Sequence, residues 1–214
     1  MRLITEPYTI QAARWPQSVR HILAQFGCEA VVVYHAYRPE IGQLAARNGS
    51  FGGEFSLGRM SWIKPNFLWM MYRYGWSTKP GQEVVLAVRL RRTAFDEILR
   101  LAVHSTFVPE AYGTHGAWKE ALARSDVRLQ WDPDHDPSGA PTERRAIQLG
   151  LRGDILARYT KEWLLGIYDI TEFVQEQHAR RPYDHLVTPR EEVYPIATPE
   201  VAARLGISEA QGVQ

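Results

Sequence analysis

The apolar residues of the chain fall into segments of two kinds, some with helical spacing and some continuous. Residues 11–26 place Ala12, Trp15, Val19, Ile22, Leu23 and Phe26 at helical intervals across Pro16, which predicts a helix restarting at that proline and ended by Gly27. Residues 30–37 (Ala-Val-Val-Val-Tyr-His-Ala-Tyr) are β-branched and aromatic with no polar alternation, the pattern of a central strand covered on both faces. A helix over 40–47 with Ile41, Leu44 and Ala45 inward follows, then a flexible Gly-rich loop over 48–53. Residues 59–76 carry the densest aromatic run. Pro65 suits a first helical turn and Gly75 the exit, so 65–74 reads as a short helix, apolar on every side and therefore buried by its neighbours.

Beyond it, 83–90 alternates cleanly as a strand, Thr93 can cap a helix over 94–103 with Phe95, Ile98 and Leu99 on one stripe, and 104–116 reads as irregular. A short helix over 118–123, strands over 126–131 and 144–151, and helices over 154–165 and 170–177 complete the set. With a further strand near 60–63, these elements predict an α+β fold: one domain over 1–180 with a central mixed or antiparallel sheet and flanking helices. From 181 to 214, Pro182, Pro189, Pro195 and Pro199 predict an irregular C-terminal arm.

Length, 45% hydrophobic and 23% charged content, and a net charge of +1 over 214 residues are globular values and predict no bulk attraction to nucleic acid or membrane. Locally the balance differs. Between Arg59 and Arg92 seven basic side chains face Glu83 alone, which reads either as scattered surface arginines or as an anion or phosphate site. The single cysteine, Cys28, forbids an intrachain disulfide, and neither a signal-like N-terminus nor a membrane-length apolar run is present, so a cytoplasmic protein is expected.

Several chemistries are poorly served. The run Asp132-Pro133-Asp134-His135-Asp136-Pro137-Ser138-Gly139, with Glu143, spaces acids like a calcium loop, but Pro137 stands where that loop needs glycine, so a solvated turn is the better reading. The histidines show no metal-ligand spacing, no Gly-x-Ser-x-Gly element occurs, and no metal is expected. His35, inside the most buried-looking strand, reads first as a core histidine.

What remains is His35 and Arg38 at an early strand end, Ser61 and Trp62 leading into a helix with Tyr72, and Glu143 with Gln148 on a late strand. That order resembles the ADP-ribosyltransferase group over roughly residues 30–151, although His35-Ala36-Tyr37 stands where the group has His-Gly-Thr and Pro141-Thr142-Glu143 where it has Gln-x-Glu. The resemblance implies a split sheet and NAD as substrate. It also implies that His35 and Arg38 anchor the dinucleotide, that Ser61 and Trp62 line the nicotinamide ribose, that Tyr72 stacks, that Gln148 takes part in binding the cofactor, and that Glu143 is the catalytic carboxylate.

The rival expectation is a binding module in which the basic aromatic segment 59–92 grips a nucleotide or single-stranded nucleic acid. A closer resemblance covers about residues 1–196. Gln11 to Pro16, Tyr37-Arg38-Pro39, Arg59 to Arg73, Gln130 to Gly139 and Arg144 to Gly153 are similar to the family called domain of unknown function 4291, which implies a soluble protein and no particular reaction.

Overall fold

The computed structural model describes residues 3–180 and 183–207. In chain order the elements are β1 (Thr5–Pro7), α1 (Tyr8–Ala12), β2 (Val19–Arg20), β3 (Leu23–Ala24), β4 (Ala30–Tyr37), α2 (Pro39–Asn48), β5 (Ser61–Ile63) and α3 (Phe67–Tyr74). Next come β6 (Val84–Arg91), α4 (Arg92–Leu101), β7 (Val103–His104), α5 (Pro109–Tyr112), α6 (His115–Arg124), β8 (Val127–His135) and β9 (Pro141–Leu151). The last described elements are α7 (Gly153–Lys161), β10 (Leu164–Asp169), α8 (Thr171–Ala179), β11 (Val187–Pro189), β12 (Glu192–Val193) and α9 (Pro199–Leu205).

This is an α+β domain whose main sheet is split. One part is antiparallel, in the order β10-β6-β4. The other runs β2-β9-β8-β7, with β5 sharing the β2 side of β9. Among the described residues one bridge joins them: the Tyr34 N–H donates to the Lys64 carbonyl at 2.8 Å, so the residue after β5 reaches across to β4.

Both faces of β4 are covered, as its unbroken apolar run predicts. Val31 and Val33 join Leu86, Val88, Leu149, Phe95 and Tyr159 in the larger core, while Val32, Tyr34 and Ala36 pack with Phe67, Met70, Met71 and Val174 in a second. Each such Val, Leu, Phe or Met side chain contributes about 1.5–3 kcal/mol on burial. α3 therefore supplies core on most of its circumference, with Phe67 to Met71 all buried and only its last turn reaching solvent. Its ends are built by short-range chemistry: the Asn66 side chain accepts from the Trp69 N–H at 2.7 Å, and Gly75 closes the helix at φ 59°.

Three sequence expectations are corrected. Residues 11–26 do not form one helix. α1 stops at Ala12, and after Pro16 the chain turns extended, β2 pairing parallel with β9 and β3 antiparallel with β12. Proline removes the N–H that a continuing helix needs, and the partner strand lies near the far end of the chain, invisible to local periodicity. The 154–165 helix ends at Lys161, and Leu164–Asp169 is instead the edge strand β10 on β6.

The arm expected from 181 onward is, where described, packed on the body. β11 pairs with β1, and α9 buries Val201 and Leu205. The Tyr194 hydroxyl donates to Asp96 Oδ1 at 2.6 Å. Pro189 ends a strand and Pro199 starts a helix, so neither breaks a loose tail.

Candidate functional site

The site forms where the two parts of the sheet part company, around β5. Trp62 stands opposite Gly150 of β9, and a Cβ at Gly150 would lie 2.6 Å from Met60 Sδ and 3.0 Å from the Trp62 indole. Glycine at that position lets the indole lie against the strand. Ser61, one residue earlier, shares a hydrogen bond of 2.8 Å with the Tyr37 hydroxyl at the end of β4. Tyr37 also meets His35 Nδ1 at 3.1 Å, and His35 Nε2 meets the Tyr159 hydroxyl of α7 at 2.9 Å. Both ring nitrogens are thus occupied by neutral partners.

Burial, and secondarily the Lys64 charge, pulls the His35 pKa down to about 3, while burial pushes the Tyr37 and Tyr159 hydroxyls up. The chain Tyr159–His35–Tyr37–Ser61 is therefore uncharged at neutral pH and holds Ser61 in one orientation. The His35 ring resonances are expected to stay constant from pH 8 down to pH 5 in an NMR titration; a midpoint near the ordinary histidine value would contradict this burial.

Two compartments flank Trp62. The first, about 620 Å³, is lined by His35, Tyr37, Arg38, Arg59, Ser61, Trp62, Arg73 and Tyr74 among others. The second, about 510 Å³, is lined by Trp62, Lys64, Tyr72, Arg73, Tyr74, Gln130, Asp132, His135 and Gln148 among others. Trp62, Arg73 and Tyr74 belong to both and form the divider.

Arg38 is exposed and ion-paired with Glu54, with Glu40 at 3.9 Å. Arg59 and Arg73 are exposed and, among the described residues, have no carboxylate partner. In the second compartment the Asp132 carboxylate is fixed from both sides: Gln130 Nε2 donates to Oδ1 and Gln148 Nε2 to Oδ2, each at 2.8 Å. Tyr72 stacks on His135 with ring centroids 3.4 Å apart and planes 10° apart, yet stays 46% exposed, so the stacked pair forms a rigid aromatic wall.

The residues singled out in the sequence sort as follows. His35, Arg38, Ser61 and Trp62 line the first compartment, and Trp62, Tyr72 and Gln148 the second. Glu143 does not join them. It is exposed and lines neither compartment; five positions from Gln148 on β9, it falls on the opposite face of the strand. Gln148 is the late-strand residue that reaches the cleft.

The acid of the second compartment is Asp132, which the sequence offered only as the first member of a turn, while Glu54 lines the first beside Arg38. That turn begins later, with Asp136 Oδ1 accepting from the Ser138 N–H, the Ser138 hydroxyl and the Ala140 N–H. The basic run is also divided. Arg59, Lys64 and Arg73 meet at the cleft, whereas Arg92 lies over Phe26 and Tyr194 and Arg91 reaches the Glu162 carbonyl.

Fold and cleft together define an α+β protein with a two-compartment, cation-rich aromatic site at the junction of two sheets. A family model, Domain of unknown function (DUF4291), matches residues 21–194, and the chain belongs to that family. No curated protein matches the chain in sequence. Among the described residues no helix is long and apolar enough to cross a membrane, and no cluster of three His, Cys, Asp or Glu is placed to hold a metal ion.

Proposed function

We propose that the cleft binds NAD and cleaves its nicotinamide–ribose bond, making the protein an ADP-ribosyltransferase-like enzyme. One observation carries this reading: Trp62, Arg73 and Tyr74 serve two adjoining compartments at once. A dinucleotide has that shape, two ring-bearing halves joined by a diphosphate. A guanidinium at the divider pairs with the diphosphate through charge-assisted hydrogen bonds while the rings stack on indole and phenol faces.

Departure of nicotinamide leaves cationic character on the ribose, which a fixed carboxylate stabilises without having to reorganise. In this reading Asp132, clamped by Gln130 and Gln148, takes that role in place of Glu143. A cytoplasmic location, where NAD is plentiful, goes with it.

Thermal shift with NAD and measurement of free nicotinamide test the proposal. NAD should raise Tm, and Arg73→Ala should remove most of the rise. Asp132→Asn should keep the shift and lower nicotinamide release at least tenfold, while Glu143→Gln leaves both unchanged. A chain that shows no shift in millimolar NAD and releases no nicotinamide is not this enzyme.

The exposed ring of Tyr72, stacked on His135 next to Arg73, favours a second reading, a single-stranded nucleic-acid site. Filter binding across a salt series separates the two, since a polyanion bound through phosphates weakens steeply with salt.

A further inference from the structure

Lys64 follows β5 and is 1% exposed. Its own carbonyl holds the bridge to Tyr34, so its backbone is fixed between the two parts of the sheet. Its Nζ donates to the Trp62 carbonyl at 3.2 Å and to the Tyr74 hydroxyl at 2.8 Å, and it lines the second compartment beside Arg73. An ammonium has three N–H groups, and two are accounted for by these partners.

Among the described residues no carboxylate lies within ion-pairing distance of Lys64. The charged and titratable groups that face it are Arg73 on α3, Asp132 on β8, Tyr74 after Arg73, and the neutral His35 on β4. The chain has three other lysines, Lys79, Lys119 and Lys161, and all are exposed.

We propose that Lys64 is a nucleophilic amine that captures the open-chain aldehyde of a phosphate-bearing sugar as a Schiff base. That the sugar is the terminal ribose of ADP-ribose rests on the NAD reading above; the amine chemistry does not. The free amine attacks the aldehyde carbon, a C–N bond forms, and the carbonyl oxygen takes up a proton to give the carbinolamine. Loss of that oxygen as water, with both amine hydrogens, leaves the C=N bond, so no oxidant or reductant is needed.

Burial, reinforced by Arg73 and opposed by Asp132, brings the Lys64 pKa down to about 7. A far larger share of Lys64 is then free amine at neutral pH than the roughly one part in a thousand or less of an ordinary lysine. Arg73, lining the same compartment, supplies a partner for the phosphate.

The test treats the intact chain with pyridoxal 5′-phosphate or with ADP-ribose, reduces with borohydride, and maps the modified lysines by peptide mass. Lys64 should be labelled on the order of tenfold faster than Lys79, Lys119 or Lys161 at pH 7, with a rate that climbs through pH 7 and then levels. Lys64→Arg should lose that adduct while its circular dichroism spectrum stays that of the unmodified chain, and Lys64→Met serves if the arginine variant fails to fold.

Labelling confined to the three exposed lysines overturns the proposal, whatever NAD does in the same sample. Capture of pyridoxal phosphate without capture of ADP-ribose overturns ADP-ribose as the ligand. Lys64 adducts in a chain that gives no NAD shift keep the amine and remove the nucleotide reading.

Discussion

Asp134→Ala is expected to lower folding stability by about 3–5 kcal/mol, the usual consequence of stranding one member of a buried ion pair. Arg144 Nε and one of its terminal nitrogens both reach Asp134 Oδ2, at 2.8 and 2.7 Å, and both side chains are buried. Asp134 Oδ1 accepts from the His135 N–H at 2.8 Å. Without the carboxylate, the guanidinium keeps the Pro16 carbonyl at 2.7 Å and the face of Trp15 at 5.3 Å, but no countercharge.

Burial raises the Asp134 pKa even though Arg144 opposes the rise, so dehydration outweighs attraction at this site. The pair is therefore costly to break without being strongly stabilising as a whole. It follows that the double replacement Asp134→Leu with Arg144→Met should recover much of what Asp134→Ala loses. Urea unfolding followed by circular dichroism measures both, and a loss below about 1 kcal/mol in the single variant would show that Arg144 finds solvent. The loss should also reach the cleft, because Asp134 separates Asp132 from His135 on β8.

What could be read from the letters was what local spacing determines. The strand β4, the strand β6 with its following helix α4, and the aromatic helix α3 with Gly75 behind it each follow from residues within about ten positions of one another. What failed was pairing over long range. Ile22, Leu23 and Phe26 fit a helical stripe as well as an extended segment, and only β12 and the buried Tyr194, some 170 positions away, decide between them. Leu164 to Asp169 looked like the end of one helix and the approach to another until β6 supplied an edge to pair with.

The cleft divides in the same way. His35, Ser61, Trp62 and Tyr72 were legible because a histidine in a β-branched strand and an aromatic run beside fixed charges are locally conspicuous. Asp132 was hidden inside an acidic loop, where its neighbours Asp134 and Asp136 turn out to serve an ion pair and a turn. Lys64 was counted only as one positive among seven. Nothing in the sequence separates an exposed lysine from one packed against the Trp69 and Tyr74 rings at the wall of a compartment, since burial is a property of the assembled fold.

Glu191 shows how the end of the chain stabilises the site from behind, and it leads to the second large effect. It is 1% exposed, and its Oε1 accepts from the Phe67 N–H at 2.7 Å, one of the donors that the first turn of α3 leaves unpaired. Its backbone is held as well: the N–H donates to Gln11 Oε1 at 2.8 Å, and the carbonyl accepts from Trp15 Nε1 at 2.8 Å. Glu191→Ala should cost about 1–3 kcal/mol, because the Phe67 N–H is left buried without a partner.

Glu191→Gln should behave differently. Burial drives the Glu191 pKa well above the ordinary carboxylate value, with the Phe67 N–H opposing. The folded chain thus holds a proton that the unfolded chain releases above about pH 4.5. Glu191 contributes its full stability below that pH, and the contribution is lost as pH rises toward the folded-state pKa. A glutamine keeps an oxygen for Phe67 and has no proton to lose. Stability measured by urea unfolding from pH 4.5 to pH 7.5 should therefore fall less steeply with pH in Glu191→Gln than in the unmodified chain, so the variant's relative stability grows toward neutral pH. Parallel pH profiles for the two chains would mean that Glu191 is ionised in the folded state, balanced by Arg144, the nearby cation that favours its charged form.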